Sequence, residues 1–147
     1  IFKFYGINPV TDGADFTFQA NASGESDYNE YMTTTYILAY HNENDSAPNV
    51  GYLDANDQAQ GTGFQTIANA IGNGADESCA GELHLFNLAS TTYVKHFYTH
   101  LQGYNKDNYA NDMRTAGYFN VTAAITNVQF KMSVGNFDGT IKMYGVG

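Results

Sequence analysis

The sequence predicts an all-β protein: a two-sheet antiparallel sandwich, jelly-roll-like, of about eight strands, in a single domain spanning residues 1–147. Three observations carry this. Apolar and polar residues alternate with period two over most of the chain, as half-buried strands require. Gly-, Asn- and Asp-rich clusters punctuate the alternation at short intervals. No segment repeats apolar residues at helical spacing.

Ile1 to Ile7 alternates around Phe2 and Phe4. The chain opens inside that pattern without Met, so a segment is expected to precede it. Asn8-Pro9 and Asp12-Gly13 form the next turn, and Asp15 to Ala20 places Phe16 and Phe18 on one face. After the polar Asn21–Asp27 cluster, Thr33 to His41 is a β-branched and aromatic run. Asn42 to Gly63 reads as a long loop with one short strand, anchored by Val50, Tyr52 and Leu53. Phe64 to Ile71 fits a strand or a helical turn equally. Glu82 to Phe86 and Thr92 to Gln102 are strands, the latter with Tyr93, Phe97 and Leu101 on one face and His96, Tyr98 and His100 on the other. Asn105 to Arg114 is polar and reads as a loop. Ala116 to Val121, Ala124 to Val134 and Thr140 to Val146 complete the chain. The last two are expected to pair as a hairpin across Gly135 to Gly139, with Val128, Phe130 and Met132 facing Ile141 and Met143. An immunoglobulin-like sandwich is the alternative, without its Cys…Trp…Cys signature.

Composition narrows the function. Six Lys and Arg stand against 15 Asp and Glu, a net charge of −9. Such a chain has no cationic patch to neutralise phosphates, which argues against nucleic acid and anionic membranes as partners. No apolar run reaches the length of a transmembrane helix. Cys79 is the one cysteine, so no intrachain disulfide forms. Only 14% of residues are charged, whereas there are 12 Tyr and 10 Phe. Uncharged surfaces rich in Tyr, Asn and Ser suit contact with proteins or sugars.

The sequence carries no nucleophile elbow, P-loop or His-Glu-x-x-His motif, and no catalytic residue is assigned. Gly61-Thr62-Gly63 and Gly72-Asn73-Gly74 read as turns. His96 and His100 share a strand face but lie ~13 Å apart at strand rise, too far to hold one metal ion. They read instead as solvent-facing, within an interface. The acidic pairs Asp12 and Asp15, Asp54 and Asp57, and Asp76 and Glu77 leave loop calcium as the one cofactor to consider, although none matches a calcium-loop pattern. A glycosidase would need two carboxylates across a cleft, and no groove-forming repeat supplies one. The candidate contact surface is Tyr28, Tyr31, Tyr98, His100, Tyr104 and Tyr109.

Several stretches resemble one family. They are Gly81-Glu82-Leu83-His84-Leu85-Phe86, Thr91-Thr92-Tyr93-Val94-Lys95-His96-Phe97, and Gln129-Phe130-Lys131-Met132-Ser133 with the following Gly135 to Gly145 segment. Tyr40-His41-Asn42-Glu43 and Ile71 to Ser78 belong with them. Together they are similar to virion structural proteins of marine tailed phages, of cyanophage and pelagiphage type. The resemblance covers nearly the whole chain and is most specific at its C-terminal end. It implies a non-enzymatic particle component on the virion surface, a capsid decoration or a head or tail appendage, acting through protein–protein assembly. Other virion proteins and copies of the chain, as a trimer, are the expected partners. The alternative is a carbohydrate-binding, receptor-recognising domain of a tail fibre that contacts host surface glycan. The family transfers no catalytic or binding residue.

Overall fold

The computed structural model describes residues 1–146. Eleven strands form, more than the eight or so expected: β1 (Phe2–Pro9), β2 (Ala14–Ala22), β3 (Met32–Asn42), β4 (Asn49–Tyr52), β5 (Ala59–Gly61), β6 (Gln65–Ile71), β7 (Cys79–Leu85), β8 (Lys95–Asn105), β9 (Tyr109–Phe119), β10 (Ile125–Met132) and β11 (Phe137–Met143). One 3-10 turn, Asp54–Asn56, separates β4 from β5. Every pairing is antiparallel. The larger layer runs β11-β1-β7-β8-β9-β3, with β4 and β5 end to end along the outer edge of β3. The smaller layer is β10-β2-β6. A single bridge, Ile71 to Asn105, joins the layers along one side.

Phenylalanine fills the space between them. Phe16 of β2 meets Phe4 of β1 edge to face at 5.2 Å, and Phe18 meets Phe97 and Phe119 at 5.0 and 5.9 Å. Phe130 of β10 packs on Phe2 and Phe4 at 5.1 and 5.2 Å. Such pairs contribute about 0.5–1.5 kcal/mol each beyond the area they bury. The alternation of β8 is as expected for Phe97 and Leu101 inward and His96, Tyr98 and His100 outward, but Tyr93, expected inward with them, lies ahead of the strand and is 68% exposed.

Three expectations are corrected. Asn105 to Arg114 is not a loop: the chain turns only through Lys106, Asp107 and Asn108, and β9 runs back along the whole of β8. Asn108 adopts φ 63°, the left-handed residue that a three-residue hairpin loop needs. The inward positions of β9 include Asn111 and Thr115, which made its first half read as polar. Asn42 to Gly63 holds two short strands, and Leu53 and Thr34 donate backbone hydrogen bonds that continue the edge between them. The ambiguous Phe64–Ile71 segment is strand. Third, the final two strands do not form a hairpin. β10 pairs with β2 and β11 with β1, in opposite layers. On one side of the connection, the Ser133 N–H donates to the Asp15 carbonyl. On the other, the Asn136 carbonyl accepts from the Val10 N–H. The turn therefore arches over the core and does not fold one strand onto the next.

β2 departs from the half-buried pattern in a second way. Its opposite face, Thr17, Gln19 and Asn21, is buried as well. Gln19 Nε2 donates to the carbonyls of Glu30, Thr62 and Gly63, each at 3.1 Å. Gln65 accepts from Thr34 Oγ1 at 2.7 Å and donates to the Asn56 carbonyl at 2.8 Å. Gln19 thereby fixes loops over the outer side of β2, whereas Gln65, in register with inward Phe18, ties the 3-10 turn to the core side of β3. Lys95, fully buried at the start of β8, does the same elsewhere: its Nζ donates to the carbonyls of Tyr93 at 2.7 Å and Thr122 at 3.1 Å. A charge this deep stays only when its donors are satisfied.

Two glycines are dictated by close approach. Gly81 has φ 154°, and a Cβ there would strike the carbonyl oxygen of His100 on β8. A Cβ on Gly117 would lie 2.5 Å from the Thr33 carbonyl oxygen on β3.

Lys95→Met keeps the buried stem but leaves the carbonyls of Tyr93 and Thr122 without a donor; urea unfolding is expected to show a loss of about 1–3 kcal/mol. Burial pushes the Asp15 carboxyl up, against hydrogen bonds from Ala70 and Thr66. Its folded form binds a proton more readily than its unfolded form. Its contribution therefore becomes less favourable as pH rises from the ordinary carboxylate range through the raised folded value. Asp15→Asn is expected to flatten that slope and to hold or slightly raise stability at neutral pH, read by melts across the acid range.

Candidate contact surface

The outward face of the larger layer is broad and uncovered. Its composition follows from strand parity: residues that flank an inward Phe or Leu by one position must point out. Register then sets them in rows. One row runs His84, Tyr98, Ala116 and Thr35 across β7, β8, β9 and β3. The next runs Lys3, Glu82, His100, Arg114 and Ile37 from β1 to β3.

The first row is aromatic. Tyr98 stacks on His84 with ring centroids 4.6 Å apart and 14° between planes, and Phe86 lies 5.7 Å from Tyr98. On the other side of β8, His96 meets Tyr118 edge to face at 6.2 Å. Between these rings lies a shallow trough of about 470 Å³. Ala116 and the backbone of Gly117 form its floor, and Thr33 and Thr35 its far rim. Phe86 and Tyr98 are 46% and 41% exposed, so the rings are available and not merely edges of the core.

The second row is charged and self-compensating. Lys3 Nζ lies 3.7 Å from Glu82, and His84 Nε2 lies 2.9 Å from the other Glu82 oxygen. The His84 contact is short but poorly aligned for a hydrogen bond. The His84 imidazole holds the Glu82 carboxyl below its usual range against the effect of burial, with Lys3 adding to it. Asp112 is approached by His100 at 2.8 Å and Arg114 at 3.1 Å. Burial alone would raise its carboxyl, but Arg114 and His100 outweigh that and lower it. All four histidines of the chain, His41, His84, His96 and His100, lie on this one face.

The six residues read from the sequence are only partly brought together. Tyr98, His100 and Tyr104 share the outward side of β8. Tyr104 sits at its far end, six residues and ~20 Å from Tyr98. There its hydroxyl donates to Glu43 at 2.8 Å, and that bond, with burial and the charges of Glu43, Asp76 and Glu77, pushes the phenol up to about 12. Tyr109 turns to the other side, edge to face with Tyr40 at 5.4 Å. Tyr28 and Tyr31 lie in the β2–β3 connection. Tyr28 has φ 50° and donates its N–H to Asn21; the Tyr31 carbonyl accepts from the Asn120 N–H at 2.7 Å. Sequence reasoning missed His84, Phe86 and Tyr118 as neighbours of Tyr98. His84 and Phe86 sit at alternate positions, a signal of shared facing, but no local pattern reports which strands lie beside β8.

The loop acids do not converge. Asp12 accepts from the Asn73 N–H, Asp15 from the Ala70 N–H, Asp57 from the Tyr52 hydroxyl and Glu77 from the Gly74 N–H. Asp57 and Glu77 are engaged within their own turns and Asp12 and Asp15 across to segment 70–73, and among the described residues no three His, Cys, Asp or Glu side chains gather to hold a metal ion. Cys79 is buried, which pushes its thiol up to about 12 and leaves it unreactive.

No family model, no curated protein and no solved structure matches the chain.

Glu82 contributes stability above the ordinary carboxylate range, lost as pH falls through its depressed folded value. Glu82→Gln is therefore expected to flatten the acid limb of the stability profile, opposite in sign to Asp15→Asn. Tyr98→Ala removes an exposed ring and is expected to cost under about 1 kcal/mol, so thermal unfolding should separate loss of contact from loss of fold.

Proposed function

We propose that this protein is a non-enzymatic surface component of a phage particle, a capsid decoration or a head or tail appendage, acting through protein–protein assembly. One observation carries the reading: the uncovered outer face of the larger layer, with Tyr98 stacked on His84 between paired strands and Phe86 beside them just past β7. Aromatic side chains held by strand pairing lose little conformational freedom on contact, the chemistry of an interface centre. The resemblance of residues 81–86, 91–97, 129–133 and 135–145 to phage virion proteins supplies the setting. The charge row beside the aromatics is internally paired, as suits a contact rim.

A second reading is favoured by the trough itself. Phe86, Tyr98 and Tyr118 flank a floor small enough for a flat ring, with Thr33, Thr35 and His96 as hydrogen-bonding groups. That arrangement fits a sugar of the host surface, the task of a receptor-recognising domain on a tail fibre. The two readings share a virion location and differ in ligand.

Immunogold microscopy of intact particles, with antibody raised against the chain, tests both. Scattered label on the head supports a decoration protein. Label at the tail or fibre tips supports receptor recognition, and a glycan array, run with and without calcium, should then give binding that Tyr98→Ala abolishes. Particles that neither take label nor co-sediment with the purified chain would overturn the proposal.

A further inference from the structure

On the outward side of the larger layer a ridge and a trough lie side by side. β8 presents large side chains there, whereas β9 presents Ala110 and Ala116. Register sets Tyr98 beside Ala116 and Tyr104 beside Ala110. The exposed Tyr98 ring therefore stands next to the floor that Ala116 and Gly117 form, with Thr33 and Thr35 beyond it. Tyr5, Ile37 and Tyr52 add further exposed apolar surface to the same side. Charge sets this face apart as well. Its strands point Lys3, Arg114 and Lys142 outward, and with them Glu82, Asp112 and Asp138. Three cations balance three carboxylates. Of the six Lys and Arg and 15 Asp and Glu in the chain, three and 12 are left for the rest of the molecule, so the whole net charge of −9 lies off these positions. Among the described residues no Asp, Glu, Lys or Arg lines the trough itself.

We propose that this face is covered by the same face of a second copy, in a two-fold dimer. An axis running along the strands between β8 and β9 seats each Tyr98 on the other copy's Ala116. The same operation brings His84 toward the other copy's Thr35 and Phe86 toward its Thr33. A large side chain thus meets a small one in both directions, the self-complementarity that an isologous contact requires. Two twisted sheets stack face to face at about −30° and ~10 Å apart. At ~4.8 Å between strands and ~3.3 Å per residue, β1, β7, β8, β9, β3 and the β4–β5 edge span roughly 850 Å². A stable interface takes about 800 Å² from each partner. Electrostatics select the orientation. Copies of net charge −9 repel through approaches that bring their acidic remainders together, and stacking the two neutral faces leaves those acids on the outside. Arg114 comes over the other copy's His100, and each is already held by the Asp112 of its own chain. The inference rests on the reading of the outer face as an assembly surface and names the partner. A dimer of this kind fills the trough and leaves no room there for a sugar.

Light scattering on the purified chain across a concentration series, at low and at high salt, tests it. A dimer and nothing larger is expected, because the contact closes on itself. Salt should tighten it by screening the acidic remainder. Tyr98→Ala removes the ridge and Ala116→Tyr fills the trough. Each should weaken the dimer on the order of tenfold, with thermal unfolding close to that of the parent chain. Mixing the two variants should restore dimers, because each Tyr of one chain then meets an Ala of the other. Both substitutions in one chain should restore them too. A monomer at every concentration and salt would overturn the proposal. So would association that survives both single substitutions, or a mixture that dimerises no better than its components. A monomer that still co-sediments with phage particles would overturn the dimer alone and leave the assembly reading standing. A dimer that neither labels nor co-sediments with particles would do the reverse.

Discussion

Interleaving of phenylalanine between the two layers is the constraint on which the rest of the structure depends. Phe16 and Phe18 on β2 meet Phe4, Phe97 and Phe119 from three strands of the larger layer. Phe130 reaches across from β10 to Phe2 and Phe4. These contacts set which side of every strand faces in. Because strand side chains alternate, they also set which side faces out. The aromatic row on the outer face is thus the complement of the core: Tyr98 points outward because Phe97 and Thr99 point in.

Buried polar groups decide which face stays open. Gln19, Gln65 and Lys95 have no acidic partner and are satisfied mainly by backbone carbonyls of loops. Each fixes a connection against the sandwich: Gln19 and Gln65 hold segments 56–63 and the approach to β3, and Lys95 ties the β7–β8 and β9–β10 connections together. The loops held by Gln19 thereby cover the outer side of β2. The larger layer receives no such cover, so its outer face is left to histidines, tyrosines and compensated charges. Replacement of any of these buried donors exposes the same weakness, an unpaired carbonyl in a dry site.

The outer face is electrostatically quiet despite an acidic chain. Glu82 and Asp112 are each flanked by a histidine and by Lys3 or Arg114. At the β4 end Glu43, Asp45 and Asp57 are met by Tyr104, His41 and Tyr52, and β11 carries both Asp138 and Lys142. A face whose charges are neutralised locally leaves its aromatic rings open to contact without a strong field of one sign.

The sequence by itself determined the fold class, the strand identities where apolar residues alternate cleanly, and the facing of β8. Period-two alternation is a local property, and Phe97, Leu101, Tyr98 and His100 express it within one strand. Where inward positions are polar, as at Asn111 and Thr115, local pattern fails, and the first half of β9 reads as a loop. Strand partners were not legible at all. The β10–β11 segment has the composition of a hairpin, yet Asp15 and Val10 claim opposite sides of its turn and send the two strands to different layers. Of the six contact residues, the sequence placed Tyr98, His100 and Tyr104 on one strand face. It could not gather His84, Phe86 and Tyr118 beside Tyr98. Only tertiary structure decided that, because register between strands distant in sequence is set by the packing of the whole core and by no residue within either strand.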